Sequence, residues 1–145
     1  MTTGATSDRL LASGLKAVIP SEIRPGLRAE REIVVTDAMV TRHVGGGRGG
    51  VLTTPTLIAL MEEVAQAVTE PYLPAGHTTV GFEVSVRHRR PAFVGARVRV
   101  MAELREIEGR KLRFGVAAWT EHDEIAAGVL RRTIIRLGDL DAARG

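Results

Sequence analysis

Thr54 and His88 are residues of this sequence whose types and settings could serve work on a carbonyl group, and Glu62 lies between them on the same helix as Thr54. Thr54-Pro55 opens the clearest helix signal in the chain. A threonine hydroxyl can cap orphan N–H groups, and a proline at the first helical position has no N–H to leave unsatisfied. The same helix N-terminus offers backbone donors and the positive end of a dipole to a developing oxyanion. Capping and chemistry are both open to Thr54, and Thr53 competes for either. Glu62 follows eight residues later, about 800° around a helix, which is two turns and roughly 80° more. A carboxylate there could activate water or attack a carbonyl carbon. Read alone, Glu62 is an ordinary flank residue, with Glu63 as the alternate.

His88 closes a strand in which Phe82, Val84, Val86 and His88 alternate with Glu83, Ser85, Arg87 and Arg89. Period-two alternation turns its imidazole toward the apolar side, where it can orient a carboxylate or move a proton near neutral pH. A hydrogen-bonded core histidine has the same signature. Arg87, Arg89 and Arg90 cluster beside it. Their planar donor forks suit phosphate, and they equally suit a solvated strand edge that resists aggregation. His43, His77 and His122 fall in loops or at strand ends without metal-ligand spacing, so no metal site is expected.

The elements that must position these groups follow from periodicity. Glu30–Val40 has a β-branched centre and reads as a strand, with a second short one at Val40–Val44. GGGRGG, residues 45–50, is a loop, since no Lys-Ser/Thr pair follows to make it a phosphate cradle. The helix runs from Thr54 to about Glu70, with Leu57, Ile58, Leu60, Met61, Val64, Ala65 and Val68 on one stripe. Strands follow through Val98–Leu104, Leu112–Ala118 and Ile125–Leu137, the last with imperfect alternation around Leu130–Thr133 that suggests a bulge. Short turns favour antiparallel pairing, and one apolar helix needs a sheet to cover it. The expected fold is therefore α+β, a curved antiparallel sheet wrapped around one long central helix. Residues 1–20 read as a flexible leader, 21–138 as the single domain and 139–145 as a frayed tail.

Composition narrows the function further. A chain of 145 residues, 44% of them hydrophobic, supports one core rather than two. Zero cysteines exclude a disulfide framework and suit a cytoplasmic protein. No apolar run reaches the roughly 18–20 residues of a membrane-spanning helix. The net charge of +3 is carried by arginine, with only Lys16 and Lys111 as lysines. Aromatics make up 3% of the chain, too few for base-stacking platforms, so no nucleic-acid partner is expected.

The segment GVLTTPTLIALMEEVAQAVTEPYLPAGHTTVGFEVSVRHRRPAFVGARVRVMAEL, residues 50–104, resembles the hot-dog-fold acyl-CoA thioesterases, most closely the fluoroacetyl-CoA thioesterase type. The likeness is carried by Thr54 and Leu60-Met61-Glu62 on the helix, Tyr72-Leu73, Gly81, Val86-x-His88, and Val98-x-Val100-x-Ala102-Glu103-Leu104. It extends from the preceding strand to Ile135. The resemblance implies a hot-dog fold and hydrolysis of a short-chain acyl-CoA thioester to the acid and free CoA. It implies no separate cofactor, coenzyme A being part of the substrate, and a homodimer with active sites at the subunit interface. It makes Thr54, Glu62 and His88 the catalytic residues and Gly81 a residue that lines the acyl group. Arg87, Arg89 and Arg90 would then face the phosphates of CoA. Fluoroacetyl-specific members carry an aromatic lid residue before the threonine, whereas here that position falls at or near Arg48 in a loop with no aromatic. A non-catalytic acyl-CoA binder and a hot-dog hydratase or dehydratase are the alternatives; the helix signature of the latter is absent from the sequence.

Overall fold

The computed structural model describes residues 19–43 and 49–144, so residues 1–18 of the expected leader and the Arg48 position lie outside the described residues, while Ile19, its penultimate residue, packs against the core. Strand β1 (Arg28–Val34) leads through a 3-10 turn to the short β2 (Val40–Thr41), which pairs with β3 (Val51–Leu52). Helix α1 spans Thr54–Thr69, and four long strands follow: β4 (His77–His88), β5 (Arg97–Glu108), β6 (Lys111–Trp119) and β7 (Glu124–Arg136). The main sheet is antiparallel in the order β1-β5-β6-β7-β4. This is the expected α+β architecture. Leu137–Arg144, which includes most of the expected tail, is a short exposed helix, α2.

Alternation decides what the sheet presents to α1. Val98, Val100, Ala102 and Leu104 from β5, Leu112, Phe114, Val116 and Ala118 from β6, and Leu130 and Ile134 from β7 are buried against Leu57, Leu60, Met61, Val64, Ala65 and Val68 of the helix. Each of the larger side chains among them contributes about 1.5–3 kcal/mol by leaving water, so the shared interface fixes the helix on the sheet. Gly128 adds a second constraint. A Cβ there would run into the backbone of Ser85 and Val86, so this glycine lets β7 and β4 lie close.

Three details depart from the pattern-based reading. The first strand ends at Val34, because Val35 and the following residues turn into the 3-10 segment Asp37–Met39. Helix α1 is capped by Thr53, whose Oγ1 accepts from the Thr56 N–H at 3.2 Å, and not by Thr54. Finally, Leu130–Thr133 pairs regularly with β6 and the irregularity opposite it lies on β4, where Gly81 pairs with Arg132 and Glu83 with Arg131, leaving Phe82 as an extra residue; further register shifts leave Arg105 on β5 and Ile125 on β7 unpaired in the same way. Phe82 consequently does not share a face with Val84, Val86 and His88. It lies on the outer side, where the Lys111 ammonium stands 5.7 Å from its ring centroid.

Candidate active site

The Thr53 cap matters because it releases the next hydroxyl. Thr54, the first residue of α1, is exposed, and its Oγ1 lies 2.9 Å from His88 Nδ1. Helix start and strand end are thus joined by a hydroxyl–imidazole pair across 34 positions of sequence. Thr56 N–H is taken by the cap, Leu57 N–H donates to Thr53 O, and Pro55 has no N–H. Among the described residues this leaves the Thr54 N–H as the unpartnered backbone donor of the first turn, next to the hydroxyl.

Burial of the imidazole pushes the His88 pKa below its ordinary value, with the Arg90 backbone opposing the shift. Desolvation favours the neutral ring, the form able to accept a hydroxyl proton. The other ring nitrogen, Nε2, is buried without a partner among the described residues. Thr54 and His88 line a cavity of about 540 Å³ together with Thr41, His43, Val51, Leu52, Thr53, Pro55, Arg89, Arg90 and Pro91. Arg87 is absent from that lining, because strand alternation turns it to the other face.

Glu62 forms a separate centre. Its carboxylate accepts from Arg132 Nη1 at 2.7 Å, while Arg132 Nε and Nη2 donate to Thr79 Oγ1 and Thr79 O, each at 2.8 Å. The Arg132 side chain is only 7% exposed and that of Glu62 26%, so this ion pair is far less screened than those on the surface. Gly81 supplies the space: a Cβ on it would lie 2.5 Å and 2.8 Å from the two Glu62 carboxylate oxygens. Gly81 and His88 are seven residues apart on β4, about 20 Å at the rise of a strand. Within one chain, then, Thr54 and His88 meet and Glu62 does not join them.

Arg132 was missed by reading the sequence, although a signal was present. Leu130, Arg132 and Ile134 share the inward face of β7, so a charged residue interrupts a core-facing triplet. Buried arginines require partners, and the partner here is Glu62. Among the described residues no three potential metal ligands converge.

A profile described as fluoroacetyl-CoA-specific thioesterase matches residues 35–137. The chain belongs to this thioesterase family. The fluoroacetyl-CoA thioesterase of Streptantibioticus cattleyicolor is 36% identical over 92 residues, which span 63% of this chain and 66% of that one. The solved structure of the fluoroacetyl-CoA thioesterase FlK superposes with a TM-score of 0.76 at 31% identity, covering 83% of this chain and 94% of that one. A thioesterase superfamily member from Thermus thermophilus gives a TM-score of 0.75 at 30% identity over 83% of this chain and 90% of its own. A hot-dog-like protein from Thermanaerovibrio acidaminovorans, 19% identical with a TM-score of 0.77 and covering 84% and 90%, shares the fold. The family thus has the hot-dog architecture described above.

Proposed function

We propose that the protein hydrolyses a short-chain acyl-CoA thioester, and that the Thr54–His88 pair at the N-terminus of α1 carries the reaction. The 2.9 Å contact between hydroxyl and imidazole, in a cavity beside a free backbone N–H, is the observation that supports it. Neutral His88 accepts the Thr54 proton as Oγ1 attacks the thioester carbon, and the oxyanion forms next to the Thr54 N–H and the helix dipole. The C–S bond then breaks and the CoA thiolate takes the proton from His88. Water, deprotonated by His88, cleaves the acyl-threonine and restores the hydroxyl. No cofactor takes part, and the absence of cysteine suits a cytoplasmic enzyme. No described helix is long and apolar enough to cross a membrane.

In this reading Glu62 acts from a second subunit. Strand β4 is a sheet edge of 12 residues with Val80, Phe82 and Val84 exposed, whereas the other edge, β1, is covered by charges such as Arg28, Glu30 and Glu32. A two-fold axis at Ser85 would pair Val84 with Val86 and Glu83 with Arg87 of the partner, matching apolar to apolar and acid to base. Because Phe82 is extra, Gly81 then faces His88, and Glu62 comes to the imidazole whose Nε2 has no partner. Arg89 and Arg90 line the cavity and would meet the CoA phosphates.

Thiol release from a panel of short acyl-CoAs tests the activity. Binding without release would leave an acyl-CoA binder, and hydration without release a hydratase. The shared site is tested by mixing Thr54→Ala with Glu62→Ala subunits after denaturation and refolding. One intact site per heterodimer predicts recovery of about a quarter of parental activity. Two inactive parents that stay inactive on mixing would refute the composite site.

A further inference from the structure

Next to the reacting pair stands a second imidazole that the mechanism does not use. His43 follows β2 and lines the same cavity as Thr54 and His88. Thr41 Oγ1 lies 2.5 Å from its Nδ1 and fixes the ring. Thr41 is itself held: Gly50, at φ +88°, packs so tightly against the Thr41 carbonyl that any Cβ would overlap it. The β2–β3 pair therefore presents His43 from a braced backbone.

The same cavity is lined by His88, Arg89, Arg90 and Pro91. Arginines on β1, β5 and β7 stand within 4.0 Å of carboxylates, as Arg31 does with Glu63 and Arg97 with Glu32. Arg89 and Arg90 have no such partner among the described residues, and no Asp or Glu lines the cavity. Two uncompensated guanidinium groups and a braced imidazole around one opening form a receptor for a multiply charged anion, most naturally phosphate.

We infer that His43, with Arg89 and Arg90, grips the phosphates of the CoA portion of the substrate and so sets the affinity for the carrier rather than the rate of acyl cleavage. This rests on the thioesterase reading above. His43 donates from the ring nitrogen that Thr41 leaves free, and the two arginines of the same cavity supply charge.

The test compares one acyl group on two carriers. With acyl-CoA, His43→Ala should raise KM roughly tenfold, as expected for one lost charge-assisted hydrogen bond, while kcat stays within about twofold. With the acyl-pantetheine thioester, which lacks the nucleotide phosphates, the same variant should match the parent. His43→Arg should restore KM for acyl-CoA. Equal effects on both carriers, or no effect on either, would overturn the assignment. Calorimetric titration with adenosine 3′,5′-bisphosphate separates it from the catalytic reading. Binding by the parent that His43→Ala weakens keeps the phosphate site even if no thioester is hydrolysed. A parent that fails to bind it removes the site even if hydrolysis is seen.

Discussion

Replacing Gly81 by alanine adds one carbon where the structure has no room for it. The new Cβ would lie 2.5 Å from Glu62 Oε2, 2.8 Å from Oε1 and 3.0 Å from Cδ, whereas ordinary contact begins near 3.4 Å. The carboxylate must give way by about 0.9 Å, the larger shortfall. Its bond to Arg132 Nη1 is 2.7 Å, and a shift of that size along the bond would carry it to the limit of hydrogen bonding. A charge-assisted bond of this kind contributes about 1.5–3 kcal/mol, so stability should fall by up to that amount. With Glu62 in its proposed catalytic role, activity should fall further, because a displacement near 1 Å in a positioned group costs roughly 100-fold. Steady-state thiol release and urea unfolding of Gly81→Ala, alone and combined with Glu62→Ala, provide the assay. Truncating Glu62 empties the space that the new methyl group needs, so Gly81→Ala should have little effect in that background. A Gly81→Ala enzyme with parental kcat/KM, or two substitutions whose effects simply add, would refute the steric argument.

Thr54→Ala and His88→Ala should each lower kcat by roughly 10²–10⁴-fold, while Thr54→Ser, which keeps a hydroxyl, should retain far more activity; parental turnover in either alanine variant would remove the pair from the mechanism. Since burial lowers the His88 pKa from 6.5, the folded protein holds the ring neutral to lower pH than the unfolded chain does. The acid limb of kcat/KM should therefore have its midpoint below 6.5, and His88 should cost stability as pH falls through that window; a midpoint at or above 6.5 would contradict this. Arg132→Lys should lose activity despite keeping the charge, because one ammonium cannot reproduce the fork that reaches Glu62 and both Thr79 oxygens. Thr53→Ala should cost about 1 kcal/mol in urea unfolding as the cap is lost.

Periodicity made most of this molecule readable. The helix beginning at Thr54 and the strand faces of β5 and β6 follow from apolar spacing, because burial against one helix imposes those spacings directly. Where local rules compete, reading by pattern failed. Two adjacent threonines can both cap, and only the three-dimensional trace shows that Thr53 takes the Thr56 N–H and leaves Thr54 to His88. Arg132 was hidden because a strand pattern treats a charged residue as outward-facing, whereas here it is compensated by a carboxylate 70 positions away. Glu62 was placed by resemblance rather than by physics, and its distance from His88 in one chain has no local sequence signal.

The extra residue at Phe82 has a meaning beyond the bend it puts in an edge strand. In a strand of unbroken pleat, residues separated by an odd number of positions look to opposite sides, and Gly81 and His88 are such a pair. Phe82 acts as a frameshift in the strand: it re-phases everything downstream, so that Thr79 and Gly81 before it and Val86 and His88 after it address the same side. Deleting that single residue would leave the composition of β4 nearly unchanged while sending either the histidine or the glycine to the wrong side. The length of this strand, counted in residues, is therefore as much a determinant of the site as the identity of any side chain in it.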